Sequence, residues 1–202
     1  AMVKGWLGDI ANRYYLTPVD GHMVTGWQNI ENANYYFNEN GLMQIGMVKI
    51  GDATFYFDPN TGMQQTGFIG DMTNRYYFNT VDGRMVTGLQ NIDGQLYLFD
   101  QNGKMMVGWQ NIDGTTFYFS PADGSMVKGL IPQADGVYGT SETDGHRLVN
   151  EVAVIGGVPR CFDANGRVVA NAPIAIGDAV YSCDANGIAT LVTPPAAPAA
   201  AQ

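Results

Sequence analysis

Charged residues are scarce in this sequence, and basic residues are the scarcer kind. Asp, Glu, Lys and Arg make up 14% of the 202 residues, with 10 basic residues against 19 acidic ones and a net charge of -9. A negative field repels phosphate backbones, so the composition argues against nucleic acid as a partner. A neutral glycan or a cationic headgroup is compatible with this charge.

Cysteine, histidine and long apolar runs are also rare. Cys161 and Cys183 are too few for a disulfide framework and fit no metal-binding pattern. His22 and His146 each follow a turn glycine, which favours exposed loop positions over catalysis. No apolar run approaches the roughly 20 residues needed to cross a bilayer, so we expect no membrane-spanning segment. The sequence therefore predicts no catalytic residues, no metal site and no cofactor.

Glycine and aromatic residues are abundant, and they recur with a fixed period. There are 26 glycines and 11 tyrosines, and glycine returns every 20 or 21 residues along most of the chain. Each unit consists of this repeat glycine, an apolar residue, a turn, an aromatic run and a second turn. Repeats of this length indicate a stacked architecture. The repeat glycines are Gly5, Gly26, Gly46, Gly67, Gly88, Gly108 and Gly129.

Turn signals occur twice in each unit. Asp113-Gly114 separates the first strand of its unit from the aromatic strand, and Asp123-Gly124 follows the aromatic strand. Such pairs tolerate the positive φ angles of tight hairpin turns. Because a single hairpin is marginal in water, the units must bury their apolar faces against one another. We therefore predict an all-β solenoid of tandem hairpins. Units one and four are more alike than adjacent units, which suggests about three hairpins per superhelical turn, or else duplication of a three-unit block.

The repeat pattern also predicts the organisation of the chain. Residues 1–4 read as the end of a truncated repeat, and 5–128 as six aromatic hairpins. From 129 to 191 the pattern weakens, which is typical of capping units. Residues 192–202 are rich in Pro and Ala and are predicted to form a tail.

The four central positions of each aromatic strand show a regular alternation. Position four holds Phe or Leu and never a polar side chain, so positions two and four are predicted to face the core. Position three is mostly Tyr, which can pack its ring and still expose its hydroxyl. Positions one and three are therefore predicted to form the ligand face. In the six units, these positions are residues 13–16, 34–37, 54–57, 75–78, 96–99 and 116–119.

Tryptophan follows the repeat glycine in three units, and we call this the lead position. Gln and Asn come directly after it in several units, and a flat indole beside amides suits a sugar. The alternative is that these aromatics only build the core. The main predicted site joins Trp27 and Tyr36 with Tyr15 of the preceding unit. Further sites are predicted at Trp109 with Tyr118, at Trp6, and at Phe68 with Tyr77.

The stretch GWQNIDGTTFYF, followed by ADGSMVKG, resembles the cell-wall-binding, choline-binding and glucan-binding repeats of Gram-positive surface proteins and clostridial toxins. The resemblance is strong from Gly5 to Gly129 and weak from 129 to 191. It implies a secreted or cell-wall-associated, noncatalytic module, here expected to be a monomer. The implied ligand is a cell-wall polysaccharide, a glucan or a host glycan.

The sequence departs from choline-binding repeats at one position. Those repeats usually carry Trp immediately before the Tyr-Tyr pair, where it helps to hold a quaternary ammonium by cation–π attraction. Here position one has Arg13, Asn34, Thr54, Arg75, Leu96 and Thr116. This favours carbohydrate over choline or teichoic acid, although choline stays open at Trp27 with Tyr36 and at Trp109 with Tyr118. A second alternative is a structural spacer that presents another domain.

Overall fold

The computed structural model describes residues 3–193, and within them the chain folds almost wholly into short antiparallel hairpins. A 3-10 turn at Ile10–Asn12 is begun by Asp9, whose side chain accepts hydrogen bonds from the backbone N–H groups of Ala11 and Asn12. None of the residues described forms a helix long and apolar enough to cross a bilayer. The predicted all-β array of hairpins is confirmed.

The chain divides into two compact units, one formed by residues 1–90 and 99–105 and the other by 91–98 and 106–202. The first unit contains nine strands in chain order. They are β1 (Gly5–Leu7), β2 (Tyr14–Leu16), β3 (Gly26–Ile30), β4 (Ala33–Phe37), β5 (Gly46–Ile50), β6 (Ala53–Phe57), β7 (Gln64–Gln65), β8 (Gly67–Ile69) and β9 (Tyr76–Phe78).

Three strands follow between residues 88 and 106, and nine more belong to the second unit. The three are β10 (Gly88–Ile92), β11 (Gln95–Phe99) and β12 (Met105–Met106). The nine are β13 (Gly108–Ile112), β14 (Thr115–Phe119), β15 (Gly129–Gln133), β16 (Gly136–Thr140), β17 (Glu151–Ile155), β18 (Val158–Phe162), β19 (Ala172–Ile176), β20 (Ala179–Cys183) and β21 (Ala189–Thr193).

The domain boundaries drawn from the sequence stay predictions. Within 129–191 the chain forms hairpins β15–β16, β17–β18 and β19–β20, and β21 extends to Thr193. The Pro/Ala-rich segment predicted as a tail lies outside the described residues from 194 onward, as do residues 1 and 2 of the predicted truncated repeat.

The two turns of each repeat differ in conformation. In units two, five and six both residues of the first turn have positive φ, as at Asp113 (51°) and Gly114 (84°), which is the tight hairpin turn predicted. At the second turn the glycine alone has positive φ, as at Gly124 (85°), and its N–H donates to the carbonyl of Ser120. The second turn is therefore a wider loop than the sequence suggested.

One residue just after the second turn forms hydrogen bonds to two successive hairpins. We call it the bridging residue. It pairs with position four of its own hairpin, as Met43 does with Phe37. Its N–H donates to the position-one carbonyl of the preceding hairpin, as Met43 does to Arg13 at 2.8 Å. This couples each hairpin to its predecessor, as a solenoid requires. The number of hairpins per superhelical turn stays a prediction.

Position four forms the core. Phe37, Phe57, Phe78, Phe99 and Phe119 are at most 2% exposed. Position two is less uniform than predicted, since Tyr35 and Phe55 are buried but Tyr14, Tyr76 and Phe117 are half-buried.

Candidate functional site

Each of the four predicted clusters brings its lead residue opposite position three of its own hairpin. The pairing is Trp6 with Tyr15, Trp27 with Tyr36, Phe68 with Tyr77 and Trp109 with Tyr118. Because these residues are directly opposite across antiparallel strands, their side chains meet on one face. The combination of lead aromatic and position-three Tyr that the sequence predicted is therefore built into the register.

The third ring of the Trp27 cluster is Phe55, and not Tyr15 as the sequence predicts. Trp27 lies 5.5 Å from Tyr36 between ring centroids and 4.9 Å from Phe55, which occupies position two of the following hairpin. Tyr15 instead packs on Trp6, at 5.0 Å. The predicted grouping of Tyr15 with Trp27 is corrected because the lead residue turns toward the following hairpin, as Trp6 also does toward Tyr35 at 5.0 Å.

Trp27 is 41% exposed and opens onto a cleft of about 330 Å³. The cleft is also lined by Phe55, Asn34, Gln64, Asp82 and Arg84. It combines an exposed indole with side-chain amides and a charged pair at its edge. Concave sites of this kind, apolar with a few placed polar groups, are typical of small-ligand sites.

The amides in this cleft form a short chain of hydrogen bonds. Asn29 donates from Nδ2 to Oδ1 of Asn34 at 2.8 Å, and Asn34 donates from Nδ2 to Oε1 of Gln64 at 3.1 Å. At the edge, Arg84 Nε lies 3.7 Å from an oxygen of Asp82, and both side chains are largely exposed. Asn34 and Gln64 thus present oriented polar groups beside the indole ring.

The amides that follow the lead residue serve the fold instead. Gln28 donates from Nε2 to the carbonyl of Thr25, and Gln110 does the same to Val107. Asn111 accepts from the N–H of Gly114 and so closes the first turn. One donor or acceptor of each of these amides is therefore engaged by the backbone, and their contact with a sugar stays a prediction. The sequence places Asn34 on the predicted ligand face without assigning it to a site, and it gives no indication of Gln64 beyond an amide where other repeats have Met or Arg.

The Trp109 cluster is covered by a guanidinium group. Trp109 lies 4.8 Å from Tyr118 and 5.7 Å from Tyr138 of the following hairpin. Cζ of Arg147 lies 4.7 Å from the Trp109 ring centroid and 5.1 Å from that of Tyr138. The Tyr118 hydroxyl accepts a hydrogen bond from Gln133 at 3.0 Å. A positive charge thus occupies the ring faces on which a cationic ligand would stack.

The two remaining predicted clusters have the same feature. Cζ of Arg13 lies 4.5 Å from the Trp6 ring centroid. Phe68 lies 4.8 Å from Tyr77, and Cζ of Arg75 lies 4.5 Å from the Phe68 ring centroid. These rings are half-buried, whereas Trp27 is exposed.

The histidines lie in second turns beside an aspartate. His146 Nδ1 is 2.6 Å from Asp144, and hydrogen bonds from His146 and Ser141 lower the pKa of Asp144 to about 2. Asp20 has the same arrangement, with hydrogen bonds from Thr17 and His22 that lower its pKa to about 2. Both pairs cap turns at the surface, in agreement with the loop positions predicted for the histidines.

The fold and the paired aromatics define a tandem hairpin-repeat array with aromatic rings packed between successive hairpins. Residues 24–67 and 86–129 match the family model of choline-binding repeats. These two segments are therefore similar to choline-binding repeats, and the resemblance noted in the sequence is confirmed.

Individual relatives agree with this assignment. Over 104 residues, half of the chain, it is 31% identical to Glucosyltransferase-I of Streptococcus downei, a stretch that makes up 6% of that protein. Its fold is similar to CbpJ of Streptococcus pneumoniae TIGR4, with a TM-score of 0.72, 28% identity, and coverage of 83% of this chain and 58% of that one.

Choline binding protein F of Streptococcus pneumoniae, solved with a peptidoglycan analogue, gives a TM-score of 0.72 at 25% identity over 83% of this chain and 58% of that one. The chain thus spans little more than half the length of these solved relatives and a small part of the glucosyltransferase.

Proposed function

We propose that this chain is a noncatalytic module that attaches to carbohydrate outside the cell, with the cleft at Trp27 and Tyr36 as its main contact. The observation that carries the proposal is the exposed indole of Trp27, which lies beside the amides of Asn34 and Gln64 in a cleft of about 330 Å³. An indole face packs on the C–H face of a sugar ring, while amides bond to its hydroxyls.

The charge of the chain supports a neutral ligand. At a net charge of -9, the protein attracts neither acidic polysaccharide nor nucleic acid. The proteins similar to this chain include a glucosyltransferase and a choline binding protein solved with a peptidoglycan analogue. We therefore expect a glucan or a cell-wall polysaccharide as the first ligand to test, with host glycans next.

Binding by the cleft alone is expected to be weak, since an open site buries only part of a sugar. The predicted clusters at Trp6 with Tyr15, Phe68 with Tyr77, and Trp109 with Tyr118 enter the proposal as lesser sites. Several weak sites on one chain strengthen attachment to a repeating polymer.

Choline is the second candidate, and one observation favours it. Trp27, Tyr36 and Phe55 form a cluster in which, among the residues described, no guanidinium lies over the Trp27 ring, and Arg84 lines only the edge of the cleft. Three rings of this kind can hold a quaternary ammonium by cation–π attraction. Choline-bearing teichoic acid is then an alternative ligand of the same cleft.

The test is a binding titration of Trp27→Ala against Met47→Ala. Met47 has the lead position of the next hairpin and is 45% exposed, yet it does not line the cleft, so it is a matched control. Dextran, purified wall, mucin glycans and choline are the probes. We expect Trp27→Ala to lose affinity by at least about tenfold, roughly 1.4 kcal/mol, and Met47→Ala to bind within about twofold of the wild type.

Two outcomes contradict the proposal. Glycan binding that survives removal of both Trp27 and Trp109 would show that the aromatic clusters are not the sites. No response of the wild-type protein to any of the four probes would favour the spacer alternative, in which every aromatic serves the core.

A further inference from the structure

Three aromatic clusters each hold a guanidinium group of the same chain. Arg13 lies over Trp6, Arg75 over Phe68, and Arg147 over Trp109, with Cζ 4.5, 4.5 and 4.7 Å from the respective ring centroids. All three distances are within the range of a cation–π contact.

The arginines reach these rings from two different places in the repeat. Arg13 and Arg75 occupy position one of the same hairpin as their ring. Arg147 is instead a bridging residue of the following hairpin, since it pairs with Thr140 and donates its N–H to the carbonyl of Thr116. Two unrelated positions thus deliver the same group to equivalent rings, which shared descent of one repeat does not explain.

The presence of arginine follows the lead residue. Where the lead residue is Met47, position one is Thr54 and the bridging residue is Met85, so neither place has an arginine. Leu89 likewise has Leu96 and Met126 at these places. Arginine therefore accompanies an aromatic lead residue.

Trp27 is the informative exception. Its position-one residue is Asn34, and the bridging residue of the following hairpin is Gln64, which pairs with Phe57. Both places that supply a guanidinium elsewhere hold a neutral amide here. The Trp27 ring is exposed, whereas Trp6, Phe68 and Trp109 are half-buried.

The bound guanidinium groups are partly dehydrated. Nε of Arg13, Arg75 and Arg147 is buried and has no hydrogen-bond partner among the residues described. A planar, weakly hydrated guanidinium tolerates this environment when an aromatic face compensates it. Displacing the guanidinium would expose the ring and would leave the arginine without its aromatic contact. A second cation placed beside the guanidinium would be repelled by its charge.

We propose that Arg13, Arg75 and Arg147 are built-in occupants that exclude quaternary ammonium ligands from the clusters at Trp6, Phe68 and Trp109. They are specificity-determining residues, and among the clusters described they leave the Trp27 cleft accessible. This inference does not rest on glycan binding, because it concerns other clusters and another class of ligand.

The test follows the three tryptophan indole N–H signals of the full chain by NMR during titration with choline or tetramethylammonium chloride, at constant ionic strength. In the wild type, the Trp109 and Trp6 signals should stay unshifted up to about 50 mM. In Arg147→Ala, the Trp109 signal should shift saturably, with a Kd at least tenfold lower than any wild-type value at that ring.

Arg147→Lys is the matched control, because it keeps a positive charge near the ring and should still exclude the probe. Arg13→Ala provides a second reporter at Trp6 if Arg147→Ala does not fold, as judged by circular dichroism. The proposal is overturned if folded Arg147→Ala or Arg13→Ala binds neither cation at the opened ring. A saturable shift of Trp6 or Trp109 in the wild type overturns it without any variant.

Discussion

The ring of Tyr36 lies against that of Phe57, with centroids 6.4 Å apart and planes inclined by 30°. Tyr36 occupies position three of its hairpin, and Phe57 occupies position four of the next. Tyr56 and Phe78 repeat the relationship at 5.7 Å. Position three of one hairpin is therefore covered by position four of its successor, and a tyrosine at this place supports the stack as well as lining the proposed ligand face.

Replacing Tyr36 should separate these two roles. Tyr36→Phe keeps the ring on Phe57 and should change the free energy of unfolding by no more than about 0.5 kcal/mol. Tyr36→Ala removes a half-buried ring and should cost about 2 kcal/mol, somewhat less than a fully buried aromatic. Urea unfolding measures both. Equal stability of the two variants would contradict the packing role.

The packing of position three on position four of the next hairpin also leads to a prediction for Gly139. This glycine occupies position three of its hairpin, where most other units have tyrosine. A Cβ added there would lie 2.2 Å from the ring of Phe162, which is fully buried at position four of the next hairpin. Gly139→Ala should therefore destabilise the fold by about 2 kcal/mol through overpacking.

Gly156→Ala is the control for Gly139→Ala, because Gly156 has a φ of +60° but open space around its added Cβ. That substitution strains the backbone alone and should cost about 1 kcal/mol. Thermal or urea unfolding should rank Gly139→Ala as the less stable variant. The reverse order would mean that Phe162 moves aside at little cost.

The hairpin array could be predicted because turn, glycine spacing and strand alternation are local signals. How neighbouring hairpins face each other is not local, and predictions that depended on it were less successful. Tyr15 was assigned to the wrong tryptophan for this reason. Cys161 and Cys183 come from different hairpins, and both lie in one buried cluster. They occupy position three and position four of successive hairpins, which is the relationship of Tyr36 to Phe57.

The two thiols should consequently react slowly in the folded protein. Burial and the neighbouring thiol of Cys183 raise the pKa of Cys161 to about 12, so almost none of Cys161 is thiolate at pH 8, and Cys183 is shielded by its own burial. We expect the reduced native protein to react with Ellman's reagent on the order of 100-fold more slowly than the unfolded protein. Rapid labelling of both thiols under native conditions would contradict the buried pair.

The candidate site was only partly readable from the sequence, again because it draws on two hairpins. The register that opposes Trp27 and Tyr36 follows from one hairpin, and it was predictable. Phe55 and Gln64 come from the next hairpin, and nothing within the local pattern connects them to Trp27. The guanidinium groups over three rings were missed for the same reason, although Arg13 and Arg75 already stood out as departures at position one.

Acid should weaken the second turns, and Asp144 allows this to be measured. Hydrogen bonds from His146 and Ser141 lower its pKa from 3.8 to about 2 in the folded chain. A carboxyl whose pKa is lower in the folded state contributes its full stability above the unfolded value and loses it as the pH falls through the folded value. This contribution should therefore be present at pH 5 and fade between about pH 4 and pH 2.

Asp144→Asn removes this ionisation and isolates its effect. The variant should be less stable than the wild type at pH 5, and the difference should shrink at pH 2.5, because the wild-type carboxyl is losing its charge there. Urea midpoints at the two pH values give the comparison, and a carboxyl NMR titration of the wild type gives the pKa directly. If the two proteins differ by the same amount at both pH values, the hydrogen bonds to His146 and Ser141 do not favour the ionised carboxylate, and the turn is held by its backbone contacts alone.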